Sequence, residues 1–200
     1  MSQTPIQAGN FVDFPFPRIL LPRMWFNHSM KPDLFTHILF DWGDTLMVVD
    51  PAQTAPMSEW PTVRGVPSSE SVLAHLKAAG KTVCLATSAN VSDEAQVRTA
   101  LARVGLEQFI SRVFCFKNTG LPKGEAFYRH ILAELQLDPA RALMVGDSFE
   151  KDVLAANAAG MAAIWFNERT PEQRKGALHL TVHSMDELLA WFSTTTNEQS

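Results

Sequence analysis

The chain has 200 residues, 46% of them apolar and 19% charged, with a formal net charge of −4. This size suits one ordinary domain with an appendage, and the composition excludes a disordered or fibrous chain. Scattered Lys and Arg leave no nucleic-acid footprint, no apolar run approaches the roughly 20 residues of a membrane span, and the opening MSQTPIQAGNF is not built like a secretory signal, so a cytoplasmic protein is expected.

Residues 1–35 are rich in Phe and Pro and show no clean period. Pro15, Pro17, Pro22 and Pro32 argue against a long helix, while the aromatic content argues for a segment that packs on something. Met30 would serve as a start for a domain whose first strand begins near Thr36, which makes residues 1–29 a candidate upstream extension. The expected organisation is an aromatic, Pro-rich extension over 1–35 and a core over 36–200.

From residue 36 strands and helices alternate. Strands are expected over 36–41, 82–87, 112–116, 141–146 and 161–166, each a short and nearly continuous apolar run of the kind covered on both faces. Helices are expected between them. The first, 68–80, begins at Ser68 with Glu70 and stops at Gly80; the second, 92–105, begins at Ser92 with two acids and stops at Gly105. Residues 123–137 and 150–160 follow the same grammar, and a short strand over 178–182 leads to a helix over 184–193 with Ser184 as its N-cap. The alternation predicts a doubly wound α/β fold, a three-layer sandwich around a parallel sheet. Cys84 and Cys115 lie inside apolar runs without metal-type spacing and read as reduced core residues.

In a parallel sheet the strand C-termini share one edge, where sites collect. At that edge the sequence places Asp41 and Asp44 after the first strand, Thr87 and Ser88 after the second, Asp147 and Asp152 after the fourth, and Lys123 ahead of it. Taken singly, each is an ordinary turn, cap or surface residue. Together they suit phosphoryl chemistry on a hard cation. Carboxylates and water are what Mg²⁺ prefers, hydroxyls and a lysine hold phosphoryl oxygens, and a carboxylate at a strand tip can attack phosphorus.

The motifs ILFDWGDTL, VCLATS, Lys123 in LPKGEAF, and GDSFEKD resemble those of the haloacid dehalogenase superfamily over roughly residues 36–193. The first and last are specific; the middle two are weak alone. The resemblance implies a Rossmann-like core with Asp41 as nucleophile and magnesium ligand, and Gly43 supplying a backbone carbonyl to the metal. It implies Asp147 as the acidic metal ligand, and Asp152 orienting Lys123 or a metal-bound water. Thr87, Ser88 and Lys123 would bind the phosphoryl group.

One position departs from that pattern. The acid/base of the family's phosphatases lies two residues after the nucleophile, where this chain has Gly43. Asp44 is the expected substitute, with Asp50 a second candidate. Otherwise the substrate needs no acid, or the reaction is not ester hydrolysis; the intact GDSFEKD speaks against dehalogenation, which needs no magnesium. Residues 47–68 and 117–122 leave no room for a cap domain, so the site is expected to be open, with Trp42 and Trp60 as candidate walls, and to admit large substrates. The expected activity is magnesium-dependent hydrolysis of phosphomonoesters through an aspartyl phosphate. The alternatives are a weakly active relative that binds a phosphorylated ligand or partner, and a dehalogenase or phosphonatase. No oligomeric state is indicated.

Overall fold

The computed structural model describes residues 30–194. The extension expected over 1–35 therefore lies, apart from its last six residues, outside the described residues. Of those six, Met30, Pro32 and Phe35 are buried, and Phe35 meets Trp191 with ring centroids 6.3 Å apart.

Six parallel strands form one sheet in the order β3-β2-β1-β4-β5-β6: β1 His37–Phe40, β2 Thr82–Ala86, β3 Arg112–Phe114, β4 Ala142–Gly146, β5 Ala162–Phe166 and β6 His179–Val182. All six expected strands are present. Helices α1 (Ser69–Ala78), α2 (Glu94–Ala102) and α6 (Met185–Phe192) bury their apolar sides on one face of the sheet. Helices α4 (Glu125–Glu134) and α5 (Ala155–Ala158) cover the other, around Phe127, Tyr128 and Ile131. A four-residue helix, α3 (Phe116–Thr119), follows β3, where the expected strand over 112–116 would have ended in a loop. The result is the doubly wound, three-layer arrangement expected. Among the described residues, no inserted domain interrupts it and no helix is long and apolar enough to cross a membrane.

Two helix starts differ from expectation. The N-cap of α2 is Asp93, not Ser92: Asp93 Oδ1 accepts from the Gln96 amide at 2.9 Å, and Gln96 Oε1 accepts from the Asp93 amide at 3.0 Å. A carboxylate followed three residues later by Gln completes the reciprocal box, which Ser92 and Ala95 cannot. Ser68 precedes α1 in a left-handed conformation (φ 62°) and makes no side-chain cap. By contrast Ser184 caps α6 as expected, accepting from the Glu187 amide at 3.1 Å.

The strand order puts the reversal of direction at β1, between β2 and β4. The crevice outside the strand C-termini at such a reversal is where ligands bind in open α/β sheets. Backbone pairing carries both flanks past the strand ends: the Asp41 amide donates to Val145 O (2.9 Å) and the Thr87 amide to Phe114 O (2.9 Å). Asp41 and Thr87 are thereby held at the crevice as firmly as strand residues.

Candidate active site

The floor of the crevice is a chain of buried charges. Lys123 Nζ lies 2.8 Å from Asp41 Oδ1 and also pairs with Asp152 Oδ1. The lysine and Asp152 side chains are essentially inaccessible to water. Asp152 is held in turn by the Ser148 amide, which donates to its Oδ2 at 2.9 Å. Residues Phe149–Leu154 form a π-helical turn ahead of α5, where a plain helix over 150–160 was expected. That wider turn, capped by Ser148, brings Asp152 back over the end of β4; such turns recur at functional sites. Burial pushes the Asp152 carboxyl up, and the neighbouring Lys123 opposes this. Burial alone would lower Lys123, but the charges of Asp41 and Asp152 outweigh it and raise its pKa, so the ammonium is held protonated.

Asp147 follows β4, the strand adjacent to β1. Burial, then the charges of Asp41 and Asp44, push its carboxyl up to about 6. Asp41, Asp147 and Asp152 each offer an oxygen within 4.8 Å of the others. Asp152 is already committed to Lys123 and Ser148, which leaves Asp41 and Asp147 for a cation. Gly43 lines the same pocket, and its carbonyl receives no backbone hydrogen bond among the described residues. Two carboxylates so placed offer oxygen donors of the kind a hard divalent cation takes. Burial does most to lift Asp147, and the repulsion from Asp41 and Asp44 that adds to it is what such a charge would relieve.

Thr87 and Ser88 line the same pocket. Thr87 is buried, and its Oγ1 accepts from the Ala89 amide at 3.2 Å, which leaves the hydroxyl proton to donate to a ligand. Asp44 also lines the pocket but belongs to its wall. Its backbone is left-handed (φ 53°), Oδ1 accepts from the Val49 amide at 3.0 Å, and Oδ2 pairs with Arg169 Nη2 at 2.5 Å. Asp50 caps its own turn, accepting from the amide of Ala52 at 3.0 Å.

Beside Asp44, and joined to it through Val49, stands the 47–66 arm. Val48 and Val66 amides pair with Arg64 O and Leu46 O (2.9 Å each), so the arm leaves and returns to the fold as a two-stranded stem. Arg103, at the end of α2, donates to the carbonyls of Ser58, Trp60 and Pro61 at 3.1, 2.7 and 3.1 Å and clamps the tip. Trp42 and Trp60 line the pocket as expected, and both are also packed: their indoles donate to Met47 Sδ (3.1 Å) and Ala55 O (2.7 Å).

Three participants went unread in the sequence. Tyr128, the only tyrosine in the chain, is fully buried. Its hydroxyl donates to Lys151 O at 3.0 Å beside Asp152, and burial raises its pKa well above the ordinary value. Its place five residues after Lys123, on the inward face of α4, was the available signal. Trp165 donates to Asp147 O at 2.8 Å, and Arg169 reaches Asp44 from the loop after β5.

Comparison with known proteins bears on the family and the fold. The sequence pattern of the family described as haloacid dehalogenase-like hydrolase matches residues 61–160, half of the chain. A ribulose-1,5-bisphosphate 5-phosphatase of Halopiger xanaduensis is 29% identical over 126 residues, covering 62% of this chain and 50% of that protein. A glyceraldehyde 3-phosphate phosphatase of Methanothermobacter thermautotrophicus is 24% identical over 161 residues, covering 80% and 69%. The chain thus spans about half the length of the first relative and somewhat over two thirds of the second. A solved structure of an uncharacterized protein from Listeria monocytogenes superposes with a TM-score of 0.67 at 23% identity, covering 78% of this chain and 96% of that one, a likeness of fold. With its motifs gathered at one crevice and half its length matching the family's pattern, the chain belongs to the haloacid dehalogenase-like hydrolases.

Proposed function

We propose that this protein is a magnesium-dependent phosphohydrolase acting on phosphomonoesters through an aspartyl phosphate on Asp41. The observation that carries the reading is the convergence on Asp41, at the tip of the central strand, of the Lys123 ammonium at 2.8 Å and the Asp147 carboxylate. Two relatives named as phosphatases of phosphorylated sugars support the reaction class.

In this reading Asp41, Asp147 and the Gly43 carbonyl hold Mg²⁺. When bound, the ion offsets the repulsion between a carboxylate nucleophile and an anionic phosphoryl group. Thr87 and Ser88 donate hydrogen bonds to the phosphoryl oxygens. Lys123 neutralises charge that builds on them and orients Asp41. Asp152 fixes Lys123 from behind. Asp44 is assigned to holding Val49 and Arg169 rather than to proton transfer, because both of its oxygens are engaged. The substrate is phosphorylated, and the open rim leaves room for a large one.

The test is hydrolysis of p-nitrophenyl phosphate with and without Mg²⁺ by the wild type and by Asp41→Asn. Turnover that needs the metal and is lost in the variant supports the reading. No turnover above the variant, with Mg²⁺ and phosphate analogues still bound, would favour the second reading, a binding protein built on the same pocket; Gly43, in place of the family's acid, is the observation behind that alternative.

A further inference from the structure

The pocket above Asp41 encloses about 420 Å³ between the 47–60 segment and the 88–92 loop. Any leaving group must sit there. Four carboxylates line the pocket, and no histidine, cysteine or tyrosine does so among the described residues. Asp41, Asp147 and Asp152 belong to the cluster around Lys123. The fourth, Asp44, spends one oxygen on the Val49 amide and the other on Arg169.

The same hydrogen bond closes the remaining position. Val49, held by Asp44, lies against Gly43 so closely that a Cβ on residue 43 would be 2.8 Å from Val49 Cγ2. The place beside the nucleophile from which a side chain would protonate a departing oxygen is filled by a methyl group. Next to it the arm contributes Gln53, Thr54, Ala55, Met57 and Trp60, none of which is an acid that gives up a proton near neutral pH. Two ammonium groups share the lining: Lys123, which is committed to Asp41 and Asp152, and Lys151, which also borders the adjoining recess formed with Ser88, Asn90 and Phe116.

Resting on the phosphohydrolase reading above, we infer that the substrate is a phosphoryl compound whose leaving group departs unprotonated as a stable anion: an acyl phosphate or an aryl phosphate, not the ester of a simple alcohol. Asp41 attacks phosphorus, and the bond from phosphorus to the leaving oxygen breaks with its electron pair going to that oxygen as carboxylate or phenolate. Water then attacks the aspartyl phosphate. The Asp41–phosphorus bond breaks, its pair returns to the carboxylate, and both water protons remain on the dihydrogen phosphate released. Neither step asks the protein for a proton.

The experiment measures kcat/KM with Mg²⁺ for acetyl phosphate, for phenyl phosphates of similar size carrying nitro, cyano, chloro or methoxy groups, and for glyceraldehyde 3-phosphate as the alkyl ester. The expected result is a steep fall as the leaving group becomes more basic. The alkyl ester should be slower than p-nitrophenyl phosphate by about 10²-fold or more, on the order of what a missing general acid withholds. The slope should be the same in Asp44→Asn and Lys151→Met. A flat series, or a slope that steepens in either variant, would reveal a proton donor and overturn the inference while leaving the phosphohydrolase reading intact. Silence towards every compound would overturn both.

Discussion

The Asp152 carboxylate occupies the space that a side chain at residue 146 would need: a Cβ on Gly146 would fall on the Asp152 carboxyl group. The glycine that ends β4 is therefore part of the site. It lets the second aspartate of the GDSFEKD segment close over the strand end and reach Lys123. Gly146→Ala should displace Asp152, and overpacking a buried site of this kind costs typically about 1–3 kcal/mol. Denaturant unfolding would read the loss, and phosphatase activity should fall with it. An alanine variant as stable and active as the wild type would show that the carboxylate can move without consequence.

Lys123 stands between two buried carboxylates. Removing it leaves both without their counter-charge, and breaking a buried pair typically costs about 3–5 kcal/mol. Lys123→Met should therefore be among the most destabilising single changes in the chain, and adding Asp152→Asn should recover part of the loss. A double-mutant cycle by thermal or denaturant unfolding measures the coupling. Additive effects would contradict the pairing.

Burial and the charges of Asp41 and Asp44 hold the Asp147 carboxyl at about 6, against roughly 3.9 when unfolded. The metal-free folded protein then binds more protons than the unfolded chain between those values. Its stability should be highest at the acid end of that window and fall as pH rises through about 6. A cation held by the ionised carboxylate reverses this, and its binding releases protons. The Tm gain on adding Mg²⁺ should therefore grow from about pH 5 to about pH 7.5 and be small at both in Asp147→Asn. A metal effect independent of pH would argue that Asp147 is not a ligand.

What the sequence disclosed follows from how local each signal is. Asp41, Asp147, Thr87 and Lys123 were legible because each sits at the junction of an apolar strand or helix with a loop, and a parallel sheet brings such junctions to one edge. The α2 cap was misplaced by one residue because Ser92 and Asp93 are both good caps, and only the reciprocal bond to Gln96 separates them. The π-helical turn at 149–154 carries the same apolar pattern as a regular helix. Arg169 lies 125 residues from Asp44, and Trp165 was read as strand core alone, so their contacts with the site depend on how the loop after β5 folds back, which no local period encodes.

Arg103 is such a long-range element with a dynamic consequence. Its three hydrogen bonds make the arm tip a fixed wall rather than a moving lid. Arg103→Ala should speed amide exchange across residues 56–61 and raise KM several-fold, with exchange in the central strands unchanged; hydrogen-exchange mass spectrometry reads the first effect and kinetics the second. Unaltered exchange at the tip would show that the arm is held by its apolar contacts alone.

The most direct test of the central claim is to look for the phosphoryl group on the enzyme. Wild-type protein quenched in acid during turnover of acetyl phosphate with Mg²⁺ should carry one phosphoryl group, localised by mass spectrometry to the peptide containing Asp41, and Asp41→Asn should carry none while still binding metal through Asp147. Phosphate release by the wild type with no adduct under any quench, or turnover retained in Asp41→Asn, would contradict nucleophilic attack by Asp41.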